Sequence, residues 1–169
     1  MRIHPVKTAA DVERARQLFL EYAHSLEFDL GFQDFDAELQ SLPGNYAPPW
    51  GCLLLAVSDS EAMGCIALRR LSDHVCEMKR LWVRPAYRGT GTGRRLIESL
   101  LDEAGRIGYS SMRLDTVPSM ASAISLYRQV GFVEIEPYTS NPIPGALFLQ
   151  FDLQTRPPRS NSAPASGNS

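Results

Sequence analysis

An extended apolar run, Met78 to Val83, passes into Arg84-Pro85-Ala86-Tyr87-Arg88-Gly89-Thr90-Gly91-Thr92-Gly93-Arg94-Arg95-Leu96 and then into an amphipathic pattern. This strand–loop–helix junction limits the chain more than any other stretch of it. Three glycines at alternate positions leave main-chain N–H groups bare of side chains. The helix that follows adds its unpaired first-turn amides and the positive end of its dipole. Such a junction suits a phosphate or pyrophosphate, and Arg84, Arg88, Arg94 and Arg95 add positive charge around it. The junction also implies a parallel, right-handed crossover, because the helix must return the chain to the same sheet.

Two familiar phosphate loops do not match. A P-loop requires G-x-x-x-x-G-K-[ST]; here the fifth residue after Gly89 is Arg94. The dinucleotide fingerprint requires G-x-G-x-x-G, and Gly89, Gly91 and Gly93 give G-x-G-x-G.

The chain has the length of one ordinary domain, 169 residues, and with 44% apolar residues it can bury a proper core. A net charge of −2 marks no nucleic-acid or membrane binder. Cys52, Cys65 and Cys76 lie inside apolar, strand-like runs, and an odd count without paired spacing fits a reducing compartment. His4, His24 and His74 are too scattered to hold a metal. No apolar stretch nears the ~20 residues of a membrane span, and the first residues lack a signal-like apolar core. The expectation is a cytoplasmic protein without a metal, either a monomer or a homodimer.

Periodicity supplies the remaining elements. Residues 2–6 read as a strand. Thr8 caps a helix, with Asp11 reaching back as an imperfect capping box, and Val12, Ala15, Leu18, Phe19, Tyr22 and Leu26 follow at helical spacing. A short helix is expected over 35–42, and strands over 52–57, 62–71 and 74–83, the first two joined by a turn at 59–61. Helix 91–107, strand 111–116, helix 118–130 and strands 132–136 and 146–153 complete the order βααβββαβαββ. The fold class is therefore α/β: a mixed sheet of about seven strands flanked by about four helices, antiparallel through the hairpins and parallel at the crossover. Residues 1–153 form the domain. Residues 154–169, rich in Pro, Ser, Asn and Arg, read as a disordered tail.

Arg88-Gly89-Thr90-Gly91-Thr92-Gly93 resembles the R/Q-x-x-G-x-G/A signature of the GNAT superfamily of acyl-CoA-dependent N-acyltransferases. Glu77-Met78-Lys79-Arg80-Leu81-Trp82-Val83 is similar to the fourth strand of that family, and Ala123-Ile124-Ser125-Leu126-Tyr127-Arg128-Gln129-Val130-Gly131-Phe132 to its A-x-x-L-Y-x-x-x-G-F segment. The element order is also that of a GNAT fold. The similarity is strong from about 53 to 132, extends more loosely to 153 and is weak before 50.

The resemblance implies a cofactor and a site. Backbone amides from Arg88, Gly89, Thr90, Gly91, Thr92, Gly93 and Arg94 would hold the diphosphate of acetyl-CoA, the cosubstrate. Leu81, Trp82 and Val83 would lie along the pantetheine arm, with an amide near Leu81 facing the thioester oxygen. Glu77 holds the position of a general-base glutamate in several relatives, and Tyr127 matches the tyrosine that serves the leaving thiolate. Many relatives carry Asn at the position of Met120, so that contact is lost here or passes to Ser119 or Ser122. No residue calls for an acyl-enzyme: His74 and Cys76 share a strand but do not make a convincing nucleophile pair.

The acceptor implied is a small-molecule or peptide amine, attacked directly in a ternary complex. Glu27, Asp29, Asp34, Asp36 and Glu38, with no basic residue among them, would line a mouth attractive to a cationic amine. Phe28, Phe32, Tyr46 and Trp50 would supply an apolar wall or belong to the core, and residues 137–145 would form the other wall. The reading from a different class is a non-catalytic CoA-binding sensor, which would keep the loop and have no use for Glu77 and Tyr127.

Overall fold

The computed structural model describes residues 1–157, except the side chains of Phe32 and Gln33. Most of the expected tail, 158–169, lies outside the described residues. Residues 154–157 do not match a tail: Leu153–Thr155 forms a 3-10 turn, and Arg156 binds the Glu98 carbonyl at 3.3 Å and the Asp102 carboxylate at 2.9 Å.

Eleven elements are described in chain order: β1 (Arg2–Pro5), α1 (Ala9–Ser25), α2 (Phe35–Ser41), β2 (Cys52–Ser58), β3 (Glu61–Arg70), β4 (Val75–Val83), α3 (Thr92–Ile107), β5 (Ser111–Thr116), α4 (Ala121–Val130), β6 (Val133–Glu134) and β7 (Leu147–Asp152). The strands form one sheet of order β1-β2-β3-β4-β5-β7-β6. Every pairing is antiparallel except β4 with β5. Strand β6 is shorter than expected. Phe132 closes the end of α4, its N–H bonded to the Tyr127 carbonyl at 3.0 Å, and its ring is buried in the core at 2% exposure.

The central strands are buried on both faces, so their apolar residues run nearly without interruption. Leu54, Ala56, Ile66 and Leu68 pack with Leu96, Ile97, Leu100 and Leu101 of α3. Leu53, Leu55, Val57 and Cys65 pack on the opposite face with Ala15, Leu18 and Phe19 of α1 and Phe35 of α2. The capping box of α1 is complete: Thr8 Oγ1 accepts the Asp11 N–H at 3.1 Å and Asp11 Oδ2 accepts the Thr8 N–H at 3.3 Å.

Two irregularities shape the middle of the sheet. First, β3 and β4 slip register: Cys65 faces Trp82 but Ala67 faces Lys79. Ile66 therefore stands opposite both Arg80 and Leu81, a β-bulge. Arg80 takes φ 61°, a left-handed conformation that costs a non-glycine residue roughly 1–2 kcal/mol. Its surroundings hold it there. Glu38 accepts from its Nε at 2.8 Å and its Nη2 at 3.1 Å, the Phe35 ring lies 5.3 Å away, and the Cys65 thiol bonds its carbonyl at 3.3 Å. Second, β4 and β5 are joined only at Val75–Ser111, Cys76–Met112 and Glu77–Arg113. Beyond Glu77 the two strands part.

Gly64 permits the close approach beside the bulge. A Cβ there would lie 2.5 Å from the Trp82 carbonyl oxygen and 3.3 Å from Val83 Cα, both main-chain atoms with no freedom to yield. Gly64→Ala is expected to cost about 1–3 kcal/mol by overpacking, read as a fall in Tm of several degrees. An unchanged melting curve would show that the strands can separate there without penalty.

Candidate active site

The glycine junction lies at one side of the split. Gly89 and Gly91 have φ +76° and +83°, and a Cβ built on either meets nothing within 4 Å. The loop is thus left-handed twice and open where side chains would stand. Gly91 is the N-cap of α3 and supplies no side-chain cap. The first intrahelical bond runs from the Arg95 N–H to the Gly91 carbonyl at 3.1 Å, so the amides of Thr92, Gly93 and Arg94 precede the ladder and point out of the helix end. Gly93 serves packing as well: its Cβ would sit 3.3 Å from Leu126 and 3.8 Å from Val83, so the first turn of α3 seats closely against β4 and α4.

Three concavities meet end to end. A groove of about 720 Å³ runs from the glycine loop along Leu81, Trp82 and Val83, with Ser119, Met120, Ala121, Ser122, Ala123 and Leu126 forming its other bank. It shares Leu81 and Met120 with a narrow slot in the split, which Lys79, Arg80, Asp115, Thr116 and Tyr127 also line. The slot in turn shares Lys79, Arg80 and Asp115 with a chamber of about 270 Å³ bounded by Asp34, Glu38, Arg69, Glu77, Thr139 and Ser140. Groove, slot and chamber thus adjoin one another at the split between β4 and β5.

The chain matches the acetyltransferase (GNAT) family model over residues 12–132. It belongs to the GNAT acetyltransferase family. An uncharacterized N-acetyltransferase of Schizosaccharomyces pombe is 37% identical over 153 residues, covering 89% of this chain and 94% of that protein. A GNAT-family acetyltransferase from Staphylococcus aureus superposes with TM-score 0.73 at 21% identity, over 90% of this chain and 99% of that one. An aminoglycoside 6'-N-acetyltransferase in complex with coenzyme A superposes with TM-score 0.70 at 15% identity, over 93% and 99%.

Within this GNAT acetyltransferase, Leu81, Trp82, Val83, Arg88, Gly89, Gly91, Thr92, Gly93 and Arg94 all line the groove. Thr90 does not. Its hydroxyl bonds the Tyr87 carbonyl at 2.5 Å and the Thr92 hydroxyl at 2.9 Å, bracing the loop from behind. Arg88 lies 4.7 Å over the Trp82 ring and donates to the Val83 carbonyl at 2.9 Å. Arg84 turns away from the loop: Glu21 holds its Nε and Nη2 at 2.8–3.1 Å, and its Nη1 reaches the Ala62 carbonyl at 2.8 Å. Its charge is spent on α1, 63 residues distant in sequence, and is not available to a phosphate.

Tyr127 is buried at 7% exposure with its ring 5.8 Å from Phe132. Burial pushes its hydroxyl well above the ordinary tyrosine range, so it stays protonated at neutral and mildly alkaline pH. Cys76 is fully buried and its thiol is pushed up to about 12. Little of it is thiolate at neutral pH.

Glu77 is only 1% exposed, at the edge of the chamber. Its Oε1 accepts from Arg69 Nε at 2.8 Å and lies 3.9 Å from Lys79 Nζ, and its Oε2 accepts from Tyr138 Oη at 2.7 Å. Arg69 stands directly opposite Glu77 on β3. Both oxygens are thus engaged.

The acidic segment 27–38 does not form an open negative mouth among the described residues. Glu38 is committed to Arg80 and to the Tyr46 hydroxyl at 2.7 Å, Asp29 caps the turn at Gly31, and Glu27 lines the groove instead. Only Asp34 and Glu38 of that segment reach the chamber, where Arg69, Lys79 and Arg80 face them. Tyr46 is core, whereas Trp50 is half exposed with Arg70 at 4.6 Å from its ring. Segment 137–145 supplies Tyr138 to Glu77 and Asn141 to Asp115.

Sequence reasoning passed over Asp115 and set Met120 aside. Met120 lines both groove and slot, and its sulfur accepts the Thr116 hydroxyl at 3.5 Å. No sequence pattern marks Asp115. Its position follows from the parting of β4 and β5, which lies in three-dimensional pairing alone.

Proposed function

We propose that this chain moves the acetyl group of acetyl-CoA to a primary amine by direct attack in a ternary complex. The observation that carries the reading is the succession of adjoining cavities from the bare amides of the α3 N-terminus, through the slot lined by Tyr127, to the chamber at Glu77. Two reactants entering from opposite sides would meet in the slot. Coenzyme A in a neighbour of the same fold supports the assignment of the groove.

The residues present fit such a ligand. Glycine N–H groups with open space before them, ahead of a helix N-terminus, suit a diphosphate. Charge-assisted hydrogen bonds contribute roughly 1.5–3 kcal/mol each, so several form an anchor. Arg88, Thr92, Gly93 and Arg94 flank it, with Thr90 bracing the loop. The pantetheine arm would follow Leu81, Trp82 and Val83, whose side of β4 beyond Glu77 has no β5 partner. When bound, acetyl-CoA supplies a thioester carbonyl in the slot. The main chain near Leu81, released by the bulge, is the donor we assign to the carbonyl oxygen.

Tyr127 then holds a proton for the departing sulfur. Glu77, fixed by Arg69, Lys79 and Tyr138, sets the positions of these groups at the edge of the chamber; any proton it takes would travel through water. The chamber holds the acceptor, a compact amine or the end of a peptide. Calorimetry with coenzyme A, and thiol release from acetyl-CoA with glycine, aspartate, spermidine, tryptamine and an N-terminal tripeptide, test the reading. Micromolar binding and turnover with at least one amine are expected. Binding without turnover across the panel would overturn direct transfer, and no binding at millimolar coenzyme A would overturn the groove assignment.

A further inference from the structure

Asp115 stands at the end of β5 opposite Phe148 of β7, across the split from Lys79 and Arg80. It lines both the slot and the chamber. Its Oδ2 accepts from Asn141 Nδ2 at 3.0 Å. The Asn141 Oδ1 is itself held by the Ile143 N–H at 3.0 Å, so the amide is fixed with its NH2 toward the carboxylate. Among the described residues nothing donates to Asp115 Oδ1. Glu77, by contrast, has donors on both oxygens. Asp115 is the chamber carboxylate that combines a clamped oxygen, an open oxygen and a place beside Tyr127.

Arg69, Lys79 and Arg80 line the chamber with Asp34, Glu38, Glu77 and Asp115; Glu77 takes up Arg69 and Glu38 takes up Arg80, which leaves Asp115 to face an incoming nitrogen. A carboxylate at the inner end can hold the nitrogen and orient it. An N–H donated to Oδ1 leaves the nitrogen lone pair free to turn toward the slot.

Resting on the acetyl-transfer reading above, the geometry points to Asp115 as the catalytic carboxylate that receives the acceptor's N–H and takes its proton as the new bond forms. The amine nitrogen bonds to the acetyl carbonyl carbon, and the carbon–sulfur bond breaks with its electron pair on sulfur. One nitrogen proton passes to Asp115, and the Tyr127 hydroxyl protonates the thiolate. A proton returned from Asp115 to Tyr127 through water restores both groups, leaving an amide and a thiol.

Two coenzyme A thioethers test this without knowledge of the natural acceptor. S-(2-aminoethyl)-CoA carries a cationic nitrogen close to where the reacting amine would sit, and S-propyl-CoA is its neutral counterpart. Calorimetry on the full chain is expected to show the amino analogue binding about tenfold tighter or more, the fold-change of one charge-assisted hydrogen bond. In Asp115→Asn and Asp115→Ser the two analogues should bind within about threefold of each other, with the affinity for S-propyl-CoA unchanged. The proposal is overturned if the wild type shows no preference, if the preference survives in both variants, or if both variants lose S-propyl-CoA as well, which would make Asp115 structural. Failure of the wild type to bind either analogue would instead defeat the acetyl-CoA reading itself.

Discussion

Gly91→Asp is expected to weaken coenzyme A binding by about 100-fold or more while the chain still folds. Two effects act together. The new carboxylate would project into the open space before Gly91, where a diphosphate is proposed to sit, and like charges repel at close range. The loop would also lose one or two main-chain hydrogen bonds, each contributing roughly 1.5–3 kcal/mol to a charged partner, and every 1.4 kcal/mol is about tenfold in Kd. The fold should tolerate the change, because aspartate accepts a left-handed conformation better than most residues and no atom lies within 4 Å of the added Cβ. Gly91→Ala separates the terms: it brings the φ penalty without the charge, and its affinity should fall much less. A Gly91→Asp variant with wild-type coenzyme A affinity by calorimetry would move the phosphates elsewhere.

Tyr127→Phe is expected to lower kcat by about 100-fold, the lower end of what a positioned proton donor contributes, with little change in KM for acetyl-CoA. The ring remains to pack on Phe132, so stability should hold. The pH profile offers a second check. Because burial raises the hydroxyl above its ordinary range, the protonated form persists to higher pH than in a free tyrosine. Wild-type kcat should therefore show no falling alkaline limb below about pH 10, the ordinary tyrosine value. A Tyr127→Phe enzyme within threefold of wild type would remove the hydroxyl from the reaction.

The local settings of these two residues were also the most legible in the sequence, for a shared reason. Gly91 belongs to a local pattern whose chemistry, bare amides ahead of a helix, is set within six residues. Tyr127 is placed by Gly131 and Phe132, which end its helix and turn the chain back into the core. Local patterns survive without coordinates. So did the element order, because helical and strand periodicities were strong: the stripe Leu96, Ile97, Leu100, Leu101 and Ala104 is buried as a unit.

What stayed hidden depends on pairing between distant segments. Arg84 looked like part of a basic ring until Glu21 claimed it. The segment 27–38 looked like an acidic mouth until Arg80 folded against Glu38. The left-handed turn at Arg80 has no sequence mark, since an arginine in that conformation is held by its neighbours and not by its own preference. Gly64 gave no signal either; only the Trp82 carbonyl 2.5 Å from its absent Cβ explains it. Asp115 and Asn141 meet across 26 residues, and neither lies in a recognisable motif.

The short seam between β4 and β5, three residue pairs long, has a mechanical consequence. It is the spine of a book whose covers are the β1–β4 leaf and the β5–β7–β6 leaf. Behind the gape at Leu81 and Leu114, α1 packs on β4 of one leaf, and segment 137–145 touches the other through Asn141 on Asp115 and Tyr138 on Phe148. With the thioester placed in the split as proposed, a wider gape would admit acyl groups bulkier than acetyl, and engineering it would begin with the residues behind each leaf.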